Sequence, residues 1–490
     1  MNQYSLCPGR LALITSLLAA PALAQPATQS AVFDLLASED GPAVNGFSVR
    51  DFNHHRVTSS AETFFEVRTE DPDSGTDEFL FRNGQVVVSE GSSISALPGA
   101  VLGSVQSIQV NDAGLVARLS EFTDAGGAST NGLFFGGALV LKPGDATSAP
   151  ELPAGTLYDR VTGVDLAPDG RVLLRCEVVS GGPRYAVLMG LEIGVDGTLL
   201  SESALLVEGD TLAGLSDPLQ GFSVRREGVS LGAGGSMIVA GDTSGDPASD
   251  RFVLVNGAPV AIEGGASPVA GRSWGDLTAP EVHMNRGGDW VMKDALDGGF
   301  FTNDLIVVNG AEYLQEGETL PDIQPHVFER AGSGAFGTGP VRIDDAGRVL
   351  FLGYWTDAAG DLQSGIFFDR ELMVRTGDVM DGLRINALFT GEGDYDLSAN
   401  GQHLIFHAQV ENAAGLFPEA VFLMSTALGE GYCVAQPNSS GREAATMASG
   451  SPLVATNEVN LRCVDMPIAA FGYFVTSRDR AFVPGVGGGQ

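Results

Sequence analysis

Asn111-Asp112-Ala113-Gly114 is a polar turn ending in glycine, and the arrangement returns as Ala167-Pro168-Asp169-Gly170, Asp344-Asp345-Ala346-Gly347 and Ser398-Ala399-Asn400-Gly401. Gly232–Gly235 and Asn285–Gly288 fit the pattern, and Thr58-Ser59-Ser60-Ala61 is a degenerate first copy with Ala in the glycine place. The fourth positions of these seven turns lie 53, 56, 65, 53, 59 and 54 residues apart, a period that marks a repeat architecture. Glycine is expected there because a tight turn between antiparallel strands commonly needs positive φ, which glycine adopts without steric cost.

Each turn is followed by a strand-like run, such as Val172–Val178 or His403–His407. A Gly/Asp-rich loop and a second strand come next (Phe79–Phe81, Phe252–Val255, Leu305–Val308, Ile366–Phe368). An outer strand then ends in a Gly-acid turn, as at Glu90-Gly91, Gly144-Asp145, Gly209-Asp210, Glu263-Gly264, Gly317-Glu318 and Gly377-Asp378. With the strand before the polar turn, each unit has four short strands, the content of one β-propeller blade. The seventh copy stops after Ala420–Met424 without an outer strand. The parts it lacks stand near the start of the chain, in Val32–Leu36 and Glu39-Asp40-Gly41. The expected fold is therefore all-β: a seven-bladed β-propeller over residues 31–427, closed by the N-terminal strand, with a small C-terminal β module over 428–490.

Modular growth also accounts for the length, since 490 residues exceed what one ordinary core supports. Residues 1–24 read as a signal peptide: Arg10, the apolar Leu11–Ala20, then Ala22-Leu23-Ala24 before Gln25. That run is shorter than the roughly 20 residues a membrane span needs, and no transmembrane segment is expected later. Cys7 precedes the apolar run, which argues against a lipoprotein. An extracellular or cell-surface location follows as the expectation, with the periplasm as the other extracytoplasmic address. The net charge of −34, from 27 basic and 61 acidic residues, disfavours nucleic acid and anionic membranes as partners.

At the turn residues the chain resembles a family of exported bacterial proteins named for a tandem N-x-x-G-x-x-A-F repeat followed by one of several alternative C-terminal anchors. Asn111, Gly114 and Ala117 match three positions, and Arg118 stands where the pattern has Phe. Gly347 is followed by Leu350 and Phe351, and Gly401 by Leu404 and Ile405, so single copies drift while seven hold register. The resemblance implies export and a repeat β fold, and it supplies no catalytic residues. From Tyr432-Cys433 through Pro437–Gly441, Asn457–Leu461 and Phe471–Phe474, the chain looks like a C-terminal module of exported bacterial proteins associated with sorting or anchoring. Such modules continue past a Gly-rich turn to a further Cys, so a shortened module is expected at Gly487–Gln490.

Candidate sites are few. Cys433 and Cys463 are one disulfide candidate, the alternative being that Cys433 pairs elsewhere and Cys463 is a small buried residue; Cys176 reads as a core thiol. The loops between second and third strands and those between blades are acidic and should share one face. The densest, Glu70–Glu78, places Asp71, Asp73 and Asp77 around a Gly bend as part of a calcium loop would, although the full EF-hand pattern is absent; a solvated loop is the alternative. Calcium is the one cofactor suggested. Asp242–Asp250, Asp294–Asp304 and Asp357–Asp361 are sparser and read as turns. His54 and His55 adjoin, while His403 and His407 share a strand face, where two imidazoles can bind metal, act as acid and base, or be core. No nucleophile elbow, P-loop or dinucleotide fingerprint appears in a supporting context. The leading expectation is a non-enzymatic binding or surface protein with an unknown protein or glycan partner at the cell surface. The rival is a metal-dependent propeller hydrolase or lactonase-like enzyme.

Overall fold

The structure is a computed structural model and describes residues 31–223, 228–278, 280–298, 304–329, 335–337, 339–391, 393–426, 445–449 and 460–464. The signal-peptide reading and Cys433 lie outside these residues. Phe33–Ser425 forms one compact unit, a seven-bladed propeller. Blade 1 comprises Val49–Val57, Thr63–Thr69, Glu78–Arg82 and Gln85–Ser89, an antiparallel sheet in chain order from channel to rim. Blade 2 runs from Val101–Val110 to Ala138–Leu141, and blade 3 from Leu157–Leu166 to Leu199–Val207. Blades 4 to 6 follow the same order, ending on Ala258–Ile262, Ala311–Gln315 and Glu371–Arg375. The inner strand is split in blade 4 (Leu219–Phe222, Val229–Leu231) and in blade 7 (Leu383–Leu388, Tyr395–Leu397). Among the described residues no helix is long and apolar enough to cross a membrane.

Blade 7 closes the ring as the sequence implies. Its sheet orders Ala31–Ser38 beside Glu419–Thr426, then His403–Glu411, then the inner strands. Just past the paired segment Glu39 donates its N–H to the Glu419 carbonyl at 3.0 Å, while its own carboxylate accepts the Glu419 N–H at 2.7 Å. Outside the propeller unit, Ala445–Ser449 and Asn460–Val464 pair antiparallel, with Thr446 opposite Cys463.

The core lies between blades. Val164, Leu174 and Met189 of blade 3 pack with Leu119, Leu133 and Phe135 of blade 2, whereas Leu173 and Leu188, pointing the other way, pack with Val239, Phe252 and Leu254 of blade 4. Alternate residues of one strand thus serve two different interfaces, which is why the middle strands read as unbroken apolar runs. Arg118, in the Phe position of the repeat, is itself buried. Its guanidinium lies 4.3 Å from the Phe134 ring centre and Nη1 donates to Ser120 Oγ at 2.6 Å, so a cation–π contact fills the aromatic slot. Burial lowers its pKa to about 10, which still leaves it charged at neutral pH.

The polar turns that identify the repeat join the inner strand to the next and form a closed ring around one end of the channel. Asn111 shows why the first position suits Asn: Oδ1 accepts the N–H groups of Ala113 and Leu115 at 3.1 Å each, organising its own turn. Nδ2 meanwhile reaches the Ala167 carbonyl of the next blade at 3.4 Å. Asn285 likewise donates to the Asp344 carbonyl at 2.8 Å. Asp344 cannot donate, and Arg348 supplies the missing donor by holding the Asp344 carboxylate and reaching the Asn400 carbonyl. Asn400 then donates to the Ser59 carbonyl, Ser59 to Asp112, Gly234 to Asp169, and Ala233 to the Arg286 carbonyl. Gly401, at φ +68°, sits where a Cβ would strike the Asp344 carboxylate and Arg348.

Two outcomes are expected in thermal unfolding. Ala61 holds φ +62° in the place of the glycine, so Ala61→Gly should stabilise the fold by about 1 kcal/mol, the left-handed strain relieved less the added chain entropy. Asn285→Asp removes the donor to Asp344 and sets a carboxylate against a carbonyl, and should cost about 1–3 kcal/mol.

Candidate functional site: the channel wall

Counting back five residues from the fourth position of each turn gives Arg56, Gln109, Asp165, Ser230, His283, Arg342 and Asp396. All seven line one central cavity of about 110 Å³ just inside the turn ring. Every blade thus contributes one polar side chain at an equivalent place on its inner strand. These side chains join blade to blade. Asp165 accepts the Leu231 N–H at 2.6 Å, Ser230 the Met284 N–H at 3.1 Å, His283 Nδ1 the Ile343 N–H at 3.1 Å, and Asp396 the Val57 N–H at 3.3 Å. Arg342 Nε donates to Asp396 at 2.9 Å, and Arg56 Nε to Gln109 at 3.3 Å. Because His283 accepts through Nδ1, its neutral form carries the proton on Nε2. At the turn end, Arg286 of blade 5 reaches 3.4 Å to Asp112 of blade 2, a contact across the channel.

Arg56, Arg286 and Arg342 therefore converge with Asp112, Asp165, Asp345 and Asp396. In a chain so poor in cations, this near balance of charge makes the cavity unlike the acidic exterior. It offers a ligand both donors and acceptors in a confined polar space.

Asp71, Asp73 and Asp77 belong to one loop but hold different partners. Asp71 accepts the Asp73 N–H at 3.0 Å and the Thr76 hydroxyl at 3.0 Å; Asp73 accepts the Gly75 N–H at 3.0 Å. Asp77 faces Arg50 at 3.6 Å. Among the described residues no group of three or more His, Cys, Asp or Glu is arranged to hold a metal ion. The loop around Asp357 is built alike: its Oδ1 accepts the Ala359 and Asp361 N–H groups at 2.9 and 3.0 Å. Asp242 and Asp294 are both pushed up by burial, Asp294 to about 8, and Asp294 Oδ2 has no hydrogen-bond partner among the described residues. Cys176 is a buried thiol whose pKa burial pushes up, and thus unreactive.

The Gly-acid turns also work on the backbone. Glu208 donates its N–H to the Ala186 carbonyl and accepts the Ala186 N–H through its carboxylate, both at 2.8 Å; Glu90 and Glu316 do the same for Glu78 and Asp304. The acid after the glycine caps the outer strand, as Asp210 does for the Val207 N–H at 2.8 Å and Asp378 for Arg375 at 2.9 Å. These loops do share one end of the propeller, opposite the turn ring.

His403 and His407 are both buried on one strand face but meet different surroundings. Burial lowers His403 to about 4 and its Nδ1 lies 2.9 Å from Ser425 Oγ, whereas His407 lies between Asp394 and Glu419. The channel residues escaped motif reading because their types differ from blade to blade. Their only signal is the constant offset from the turn.

No protein-family model and no curated protein matches the chain. Solved structures do. A Dyadobacter fermentans protein of unknown function is 12% identical, covering 67% of this chain and 100% of its own, with a TM-score of 0.30. The Hadza microbial sialidase Hz136 is 12% identical over 62% of this chain and 63% of its own, at 0.29. A subtype N11 neuraminidase-like protein from a flat-faced bat influenza virus is 10% identical over 82% and 98%, at 0.30.

Glu90 gives a test of the acidic turns. Burial first, then Glu78 and Asp77, push its carboxyl up to about 7. A raised folded value means stability present below the unfolded value near 4.5 and lost as pH rises through about 7. Glu90→Gln, which keeps a side-chain acceptor, should melt higher than the parent at pH 8 and lose that advantage at pH 5.

Proposed function

We propose that this chain is a non-catalytic binding protein of the extracytoplasmic space, taking a small polar ligand into the channel beside Arg56, Asp165 and Arg342. One observation supports this reading above others: seven equivalent positions converge on one cavity, and the seven blades place five kinds of polar group there. At the fourth position of the turns, where the work is structural, six of the seven copies keep glycine. The channel position varies through Arg, Gln, Asp, Ser and His, as recognition of an asymmetric ligand requires. Hydrolysis is the weaker reading, because Asp165 and Asp396 already accept from neighbouring backbone amides. Neither is poised as a general base toward a bound substrate.

The test is thermal melting against a panel of monosaccharides and small carboxylates, run beside ester and lactone turnover with added divalent metals. A class of compound that raises the melting temperature by mass action, with the shift lost in Arg342→Gln, is the expected result. Turnover abolished by Asp165→Asn or Asp396→Asn would replace binding with catalysis.

A further inference from the structure

The ring is closed without a covalent link inside blade 7, where Ala31–Ser38 docks on Glu419–Thr426. A buried cluster of charged and aromatic groups sits against that joint. His407, 3% exposed on the strand beside Glu419–Thr426, lies with Nε2 3.0 Å from Glu419 Oε2 and Nδ1 3.8 Å from Asp394 Oδ1. Its ring stacks on Phe389 at 4.1 Å and meets Phe52 edge-on at 5.7 Å. Glu419 is also the residue that Glu39 clips through both backbone groups. The imidazole therefore touches the residue on which the closing strand is fastened.

From these contacts we propose that His407 is a proton-held latch on the N-terminal strand: protonated, it ties Asp394 to Glu419 and keeps the docking strand in place; deprotonated, it lets the closing strand loosen. With the proton gone, two carboxylates face a buried neutral ring that can donate to only one of them. The groups facing the cluster are Glu39 and Asp40 from the closing strand and its turn, and His54, His55 and Arg56 from the inner strand of blade 1. Glu66 from the second strand of blade 1 and Asp394 from the break in the inner strand of blade 7 complete the set.

The signs agree at the alkaline side. Burial pulls the His407 value down, but Asp394 and Glu419 outweigh it and raise it above 6.5. Its contribution is thus full below about 6.5 and is lost as pH rises through the folded value. Glu39, raised chiefly by burial, acts in the same direction from a lower starting value. His55 is opposed. Burial first, then His407 with its ring 5.2 Å away, depress it to about 3, and its Nε2 has no hydrogen-bond partner among the described residues. It weakens the joint only as pH falls below about 6.5. The joint is therefore tightest where His407 is charged and His55 is not.

Amide hydrogen exchange of Phe33–Ser38 between pH 6.5 and 9, corrected for intrinsic rates and referenced to Met237–Thr243 of blade 4, tests the latch. Protection of the closing strand should fall several-fold across that range while that of the reference strand holds. In His407→Gln the protection should stay near the parent's alkaline level throughout and be free of that pH dependence. In Glu419→Gln, which leaves the backbone clip intact, the midpoint should move to lower pH. A wild-type slope retained in His407→Gln overturns the proposal. So does an NMR titration of the wild-type protein in which the His407 ring deprotonates below pH 6.5, a measurement that needs no variant to fold.

Discussion

No blade of this protein can bury its own apolar faces, and every other feature follows from that constraint. A four-stranded sheet has two faces, and the alternation of Leu173 with Leu174 in one strand directs them to two different neighbours. A linear stack would leave the two end faces in water, whereas a ring of seven leaves none. Burial of apolar area at roughly 25 cal/mol per Å² makes an open end costly, so closure is part of the folding free energy. The N-terminal strand is the means of closure, and its place beside Glu419–Thr426 fixes where the chain must begin its propeller.

Given the ring, the polar side chains sort by distance from the channel. At the hub, backbone groups of neighbouring blades come close enough for side chains to bridge them. Asn111 and Asn285 do so from the turns, and Asp165, Ser230, His283 and Asp396 from the strands. At the rim the blades diverge, and the carboxylates instead serve their own strand ends. Glu208 and Asp210, two residues apart, satisfy the backbone on both sides of one turn. Much of the protein's acidity is thus placed where an unpaired amide needs an acceptor, which also blunts the edges of the outer strands.

The fold was legible because its signals are local and repeated: a short turn that ends in a glycine at positive φ in six of seven copies, and an apolar run after it. The closing strand was legible because the last copy lacked what the first segment contained. The use of the acids was not legible in that way. Asp71 and Asp73 have the spacing of calcium ligands, and that same spacing lets each carboxylate reach an amide two residues on. Only geometry separates the two uses. The channel residues were hidden for a different reason: their common property is a position, and five residue types at one position leave no motif to find. His403 and His407 share a strand face as alternation dictates, yet burial lowers the one while Asp394 and Glu419 raise the other.

The break in the inner strand of blade 7 ties these strands of argument together. A continuous strand there would pair its backbone along the whole of His403–Glu411, leaving no place for Asp394 and Phe389 beside His407. Blade 1 answers the break with an irregularity of its own, His54 at φ +56°, which brings the His55 N–H and ring nitrogen onto the Gly393 carbonyl at 2.9 and 2.8 Å. Both deviations cost regular pairing, and both place side chains where seven identical blades would have none. Buried polar contacts of this kind are weak sources of net stability but strong selectors of register. A register slip of one residue at the closing strand would turn its apolar face to water. It would also part Glu39 from Glu419, so the polar cluster and the apolar alternation specify the same alignment.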